Sequence, residues 1–132
     1  MKVIVDTSVW LLALRRDSDS KSASVKKLES LIADKRVQMI GPIRQEILSG
    51  IRKAAQFKAL KAHLDSFPDL PMTAEDYVTA ARFFNLCRAK GVQGSNPDFL
   101  ICAVAARHRI AIFTTDKDFT LFAKHLPIAL HK

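Results

Sequence analysis

The sequence has no long apolar run: its longest uninterrupted stretch, Phe99 to Ala106, is eight residues, where a bilayer-spanning helix needs about 20. No membrane association is expected. No basic leader followed by an apolar segment and a small-residue cleavage site opens the chain, because Val3 to Val5 is brief and Asp6 interrupts it. Cysteine is scarce, with only Cys87 and Cys102, both in apolar surroundings. Two such cysteines suit reduced core thiols rather than a disulfide framework or a zinc site, and they point to a soluble cytoplasmic protein. With only four glycines and five prolines, collagenous and low-complexity classes are excluded.

Several kinds of catalytic machinery are missing as well. There is no G-x-x-x-x-G-K-[ST] phosphate loop, no G-x-S-x-G nucleophile elbow and no pair of metal-binding histidines on one helix. His63, His108, His125 and His131 are scattered and read as surface or packing residues.

What the chain does carry is 132 residues, the size of one domain (1–132), and 48% hydrophobic residues, enough for a real core. It also carries an excess of positive charge, +8 from 21 basic and 13 acidic side chains, which makes a polyanionic partner plausible. The excess is uneven: residues 1–66 hold 13 basic and 7 acidic side chains, residues 67–132 only 8 and 6.

Short β-branched runs alternate with helical periodicity. Lys2 to Val5, Val37 to Ile40 and Ala111 to Phe113 read as strands, with further short strands near Leu70 to Met72 and Pro127 to Leu130. Thr7 or Ser8 is expected to cap a helix through Val9 to Leu14, with Arg15 and Arg16 at its negative end, and Asp17 to Ser22 reads as a loop. Val25, Leu28, Leu31 and Ile32 form one helical stripe, and Phe57, Leu60, Leu64 and Phe67 another. Pro42 suits a helix start and Gly50 its left-handed stop. Thr73 with Asp76 reads as a capping box for a helix showing Tyr77, Ala81 and Phe84 on one face, which Gly91 ends. Asn96 is expected to cap a helix from Asp98 to about Arg107, apolar nearly all round and so central. The alternation predicts an α/β fold with a parallel sheet and helices on both faces.

In such sheets ligands bind beyond the carboxyl ends of the strands. Asp6 and Asp116 lie there, Asp98 sits at a helix start, and Glu46 lies on a helix among Ile43, Ile47 and Leu48. Clustered carboxylates repel unless a cation sits among them, and oxygen-only donors suit Mg²⁺, with Mn²⁺ as a substitute. Taken singly, each acid also has a structural explanation as a cap, a helix-dipole partner or a turn former.

Four segments together are more specific: Asp6-Thr7-Ser8-Val9-Trp10, Glu46-Ile47-Leu48-Ser49-Gly50, Asp98-Phe99-Leu100-Ile101-Cys102-Ala103 and Thr114-Thr115-Asp116-Lys117-Asp118-Phe119. In order and spacing they resemble the PIN-domain ribonucleases, specifically the VapC toxins of VapBC toxin–antitoxin pairs, over nearly the full length. The resemblance implies a PIN-like three-layer fold, its mostly parallel central sheet having four to five strands. It implies Asp6, Glu46 and Asp98 as metal-binding and catalytic acids, Asp116 completing the cluster, Thr114 as a supporting residue and Asp118 as a less secure one. Cys102 departs from the family's usual small residue but substitutes for it as a small core side chain.

The activity so implied is a divalent-metal-dependent endoribonuclease leaving a 5′-phosphate, in a chain that dimerises and pairs with a VapB-type antitoxin. With metal held by the acids, water is the nucleophile and no protein nucleophile is needed. A haloacid-dehalogenase-like phosphatase also begins with an aspartate after its first strand, but the second aspartate expected at position 8 is Ser8 here. Arg44 and Arg52 bracket Glu46 and are the candidate RNA phosphate contacts. Trp10, Leu11, Leu12 and Leu14 read as core, or in part as surface for a second copy or an antitoxin. The alternative of another class is a non-catalytic basic α/β module that binds RNA or protein.

Overall fold

The computed structural model describes residues 1–15 and 22–132. Among the described residues the β-branched runs form three parallel strands, β1 (Val3–Val5), β2 (Val37–Gln38) and β3 (Ala111–Phe113), in the order β2-β1-β3. Val3 pairs with Val37 on one side and with Ala111 on the other, so β1 is central. Val3, Ile4 and Val5 are all buried although successive strand side chains face opposite ways, which means both faces of the sheet are covered. The helices among the described residues are α1 (Thr7–Ala13), α2 (Ala23–Ala33), α3 (Gly41–Leu48), α4 (Ala54–Leu64), α5 (Ala74–Ala89), α6 (Asn96–His108) and α7 (Asp118–Ala123).

The two outer strands expected from the sequence shrink to single parallel bridges, Met39 with Asp69 and Ile112 with Leu130. Pro68 and Pro71 flank the first and Pro127 precedes the second. Proline has no N–H to donate, so neither edge can extend a ladder. Five chain segments therefore lie across the sheet, of which three are strands.

Helix boundaries follow local chemistry, with some departures. Ser95, not Asn96, caps α6: its hydroxyl accepts from the Asp98 N–H at 3.2 Å while the Ser95 N–H donates to Asp98 Oδ2 at 3.1 Å. Asp6, not Thr7 or Ser8, is the N-cap of α1, and it makes no side-chain cap bond. The expected loop from Asp17 to Ser22 lies outside the described residues except for Ser22, which caps α2 by accepting from the Val25 N–H at 3.2 Å; Arg16 is also outside them. Gly50 and Gly91 adopt positive φ just beyond α3 and α5, as chain reversals there require.

On α5 the inward face is Asp76, Ala80 and Cys87, with Phe83 and Phe84 partly covered, whereas Tyr77 and Ala81 are exposed. The rotation follows from Asp76, whose carboxylate is buried and receives Arg107 Nε at 2.6 Å and Nη2 at 2.8 Å, clamping the start of α5 to the end of α6. Arg107 is the first cause of a carboxyl held below its ordinary value. Trp10 is core, but Leu11 and Leu14 are exposed and Leu12 is half-buried. On α4 only Leu64 of the expected stripe is fully buried, and Phe57 is exposed. Phe84, Phe99, Phe122 and Phe119 form a chain of ring contacts, joining α5, α6 and α7. Among the described residues no helix is long and apolar enough to cross a membrane.

Candidate active site

Parallel strands deliver their carboxyl ends to one edge, and the residues that leave β1 and β3 meet there. Asp6, one residue past β1, is only 5% exposed. Its Oδ2 accepts two hydroxyls, from Ser8 at 2.8 Å and from Thr114 at 2.8 Å. Thr114, one residue past β3, also accepts the Asp116 N–H at 2.9 Å, so the turn carrying Asp116 is tied to Asp6 through one side chain. Ser8 reaches the same turn by accepting the Thr115 N–H at 3.2 Å. The reading of Asp6 as a mere helix cap fails on this geometry.

The other two acids arrive on helices. Glu46 lies on α3, and its Oε1 accepts the Thr7 hydroxyl at 2.9 Å. Asp98 is in the first turn of α6, where the Ser95 N–H holds Oδ2. Asp116 Oδ1 accepts the Asp118 N–H at 2.9 Å, and it is through this backbone group that Asp118 serves the site, its side chain being at the exposed start of α7. A pattern emerges across the four acids. Each has one carboxylate oxygen fixed by a donor of the protein, and among the described residues none has a hydrogen bond to its other oxygen.

The four charges feel one another. Burial, followed by the negative charges of Asp6 and Asp98 and opposed by the Thr7 hydrogen bond, raises the Glu46 carboxyl above its ordinary value. Burial likewise raises Asp98, with Asp6 and Asp116 adding to it against the opposing hydrogen bonds with Ser95. Among the described residues no three acids, histidines or cysteines close into a ready-made metal cage. The donor set nevertheless suits a hard divalent ion: every free donor is a carboxylate oxygen, and Mg²⁺ characteristically takes one or two carboxylates and fills the rest of its octahedron with water. A cation there would also offset the neighbouring negative charges that add to the effect of burial at Glu46 and Asp98.

A cavity of about 890 Å³ adjoins the acids, its lining including Thr7 and Glu46 but not Asp6, Asp98 or Asp116. Arg44 does not face it as a free cation. Its guanidinium donates to Asp69 Oδ1 at 3.0 and 2.8 Å, to the Leu64 carbonyl at 3.0 Å and to the Phe67 carbonyl, so the residue expected as a phosphate contact is here a strut between α3 and the Asp69 edge. Arg52 is exposed in the connection between α3 and α4, with no hydrogen-bond or ion-pair partner among the described residues. Thr7 and Ser8 were legible only as caps, and Asn96 reads as the cap in place of Ser95. Ser95 had a usable signal in the Ser-x-x-Asp box before an apolar run, whereas nothing local announces that Thr7 reaches Glu46 across 39 residues.

The PIN domain family model matches residues 3–125. No curated protein matches the chain. Solved structures share its fold at low identity. FitAcB from Neisseria gonorrhoeae is 20% identical, with a TM-score of 0.75 over 98% of this chain and 96% of that one. VapBC2 from Rickettsia felis, bound to a DNA fragment from its promoter, is 18% identical, with a TM-score of 0.75 over 99% and 98%. VapBC-1 from nontypeable Haemophilus influenzae is 14% identical, with a TM-score of 0.71 over 100% and 98%.

Proposed function

The chain belongs to the PIN domain family, and from that premise we propose that it is a divalent-metal-dependent endoribonuclease and the toxin of a toxin–antitoxin pair. PIN domains are generally nucleases that use divalent metals. The observation that carries the reading here is the half-satisfied state of Asp6, Glu46, Asp98 and Asp116, each with one oxygen fixed and one left for a ligand. Carboxylates kept only for structure would have both oxygens engaged or would stand singly in solvent.

In this reading Asp6 and Asp98, with Glu46 and Asp116, hold Mg²⁺ or Mn²⁺. When bound, the cation activates water and offsets charge on the scissile phosphate. Ser8 and Thr114 fix the rotamer of Asp6, Thr7 fixes Glu46, and Ser95 holds Asp98 at the start of α6, so the acids stay in place against their mutual repulsion. Desolvation of Asp98 and Glu46 strengthens their interaction with any cation they receive. Arg52 and other free cations draw in the RNA backbone. The VapB-type antitoxin, the homodimer and the cytoplasmic location belong to the same proposal; the first is supported by structural neighbours that are themselves toxin–antitoxin complexes.

Brief expression in cells followed by mapping of RNA 5′ ends tests this reading. New 5′-phosphate ends are expected with the wild type and not with Asp6→Asn; identical end maps for the two proteins overturn it.

A further inference from the structure

The strands start at the pole opposite the acids, and that pole is basic. Lys2 precedes β1, and Lys35 and Arg36 precede β2. The two starts are bonded side by side: Lys2 Nζ donates to the Lys35 carbonyl at 3.1 Å, Arg36 Nε to the Met1 carbonyl at 2.7 Å, and the Val3 N–H to the Arg36 carbonyl at 2.7 Å. Beside them is a cavity of about 270 Å³ whose lining includes Lys26 and Lys27 from α2, Arg36, His131 and Lys132, with Asp34 as its acid. Ion pairs among the described residues join Arg44 to Asp69, Lys61 to Asp65, Arg82 to Glu75 and Arg107 to Asp76, and none of these involves a cation of this pole. Burial, followed by the charges of Arg36 and Lys27, holds the His131 imidazole below its ordinary value, which registers the positive field inside the pole.

We propose that this pole is a docking surface for the phosphodiester backbone of RNA, separate from the acid site. Charge complementarity selects the occupant. Lys2, Lys26, Lys27, Lys35, Arg36 and Lys132 repel one another, and a chain of phosphates offsets all of them at once by releasing its own counterions. A protein partner is disfavoured, because protein interfaces are depleted in lysine and centre on apolar or aromatic anchors, and the cavity's one such side chain, Leu31, is 4% exposed. That the polymer is RNA rests on the nuclease reading above. Four residue steps separate Lys2 from Asp6, about 13 Å along an extended strand. An RNA of several nucleotides reaches both poles, so the molecule grips its substrate away from where it cuts.

Fluorescence anisotropy with labelled single-stranded RNA in EDTA tests the proposal without requiring cleavage. The full-length wild type is compared with the triple variant Lys2→Gln, Lys26→Gln, Lys27→Gln and with its charge-retaining counterpart Lys2→Arg, Lys26→Arg, Lys27→Arg. Removing three phosphate contacts lowers the slope of log affinity against log salt by about 2, and the arginine variant keeps the wild-type slope. Equal slopes for the glutamine variant and the wild type overturn the proposal, as does a loss confined to duplex DNA or to an acidic peptide. In a cleavage assay the glutamine variant shows a raised KM for long RNA, with kcat retained and no change on an oligonucleotide covering only the cut site. A wild type that binds RNA through this pole in EDTA yet cleaves nothing with Mg²⁺ supports the docking surface and fails the nuclease reading, so the two fail separately.

Discussion

Thr114 donates its hydroxyl to Asp6 Oδ2 at 2.8 Å, joining residues 108 apart in the chain at the ends of two paired strands. The Thr114 hydroxyl oxygen in turn accepts the Asp116 N–H, so removing that hydroxyl loosens two acids together.

Thr114→Val keeps the β-branched shape and deletes the hydroxyl. Its RNA cleavage rate is expected to fall about 10- to 100-fold, the usual range for a residue that orients a metal ligand, with a stability loss of about 1 kcal/mol from the lost hydrogen bonds. Thr114→Ser should retain most of the rate. Parallel kinetics and thermal melts check both, and a Thr114→Val enzyme as fast as the wild type contradicts the assigned role.

Asp98 gives a stability prediction opposite in sign to its effect on activity. Its folded-state pKa is raised, first by burial and then by Asp6 and Asp116. A raised carboxyl binds its proton more tightly when folded, so stability falls as pH rises from the ordinary carboxyl range through the raised value. Asp98→Asn removes the ionised group while its amide oxygen can still accept from the Ser95 N–H. At pH 7 without metal the variant is expected to melt at or above the wild type, the gain vanishing as pH drops below the ordinary carboxyl range, and to lose cleavage. Melting well below the wild type at pH 7 would falsify this.

The two arginines around Glu46 should separate. Arg44→Ala removes four hydrogen bonds of a half-buried guanidinium and is expected to cost about 2 kcal/mol, seen in urea melts. Arg52→Ala should leave the melt unchanged and weaken RNA binding. The reverse assignment of these two effects would show that Arg44 meets substrate after all.

Gly94 is required by contact rather than by backbone angle. A Cβ there would lie 2.6 Å from Phe122 Cζ and 3.0 Å from Phe99 Cε2. Gly94→Ala is expected to destabilise by about 1–3 kcal/mol through overpacking and, by shifting the neighbouring Ser95, to slow cleavage as well. A variant with wild-type stability and rate would mean the aromatic cluster yields freely at this point.

The parts of the molecule that could be read from sequence are those set by neighbouring residues. The buried run Val3 to Val5, the glycine stops at Gly50 and Gly91, the Thr73–Asp76 box and the apolar belt of α6 all follow from local chemistry, and the structure keeps them. The edge strands shortened because the prolines near Asp69 and Leu130 deny them donors. The face of α5 and the fate of Arg44 were hidden because each is decided by a partner far along the chain, Arg107 for Asp76 and Asp69 for Arg44. The acids themselves were visible in motif order. Their pinned and free oxygens were not, since Thr7, Ser8 and Thr114 look like ordinary caps and turn residues until the strands bring them together.

The most direct measurement is cleavage of single-stranded RNA by purified protein with Mg²⁺, with EDTA, and with Asp6→Asn and Asp98→Asn in place of the wild type. The wild type should cut only when the divalent ion is present, leaving 5′-phosphate ends, and both variants should fall to background while remaining folded. Equal cleavage by all three proteins, or cutting that persists in EDTA, would contradict a metal-assisted nuclease built on these acids.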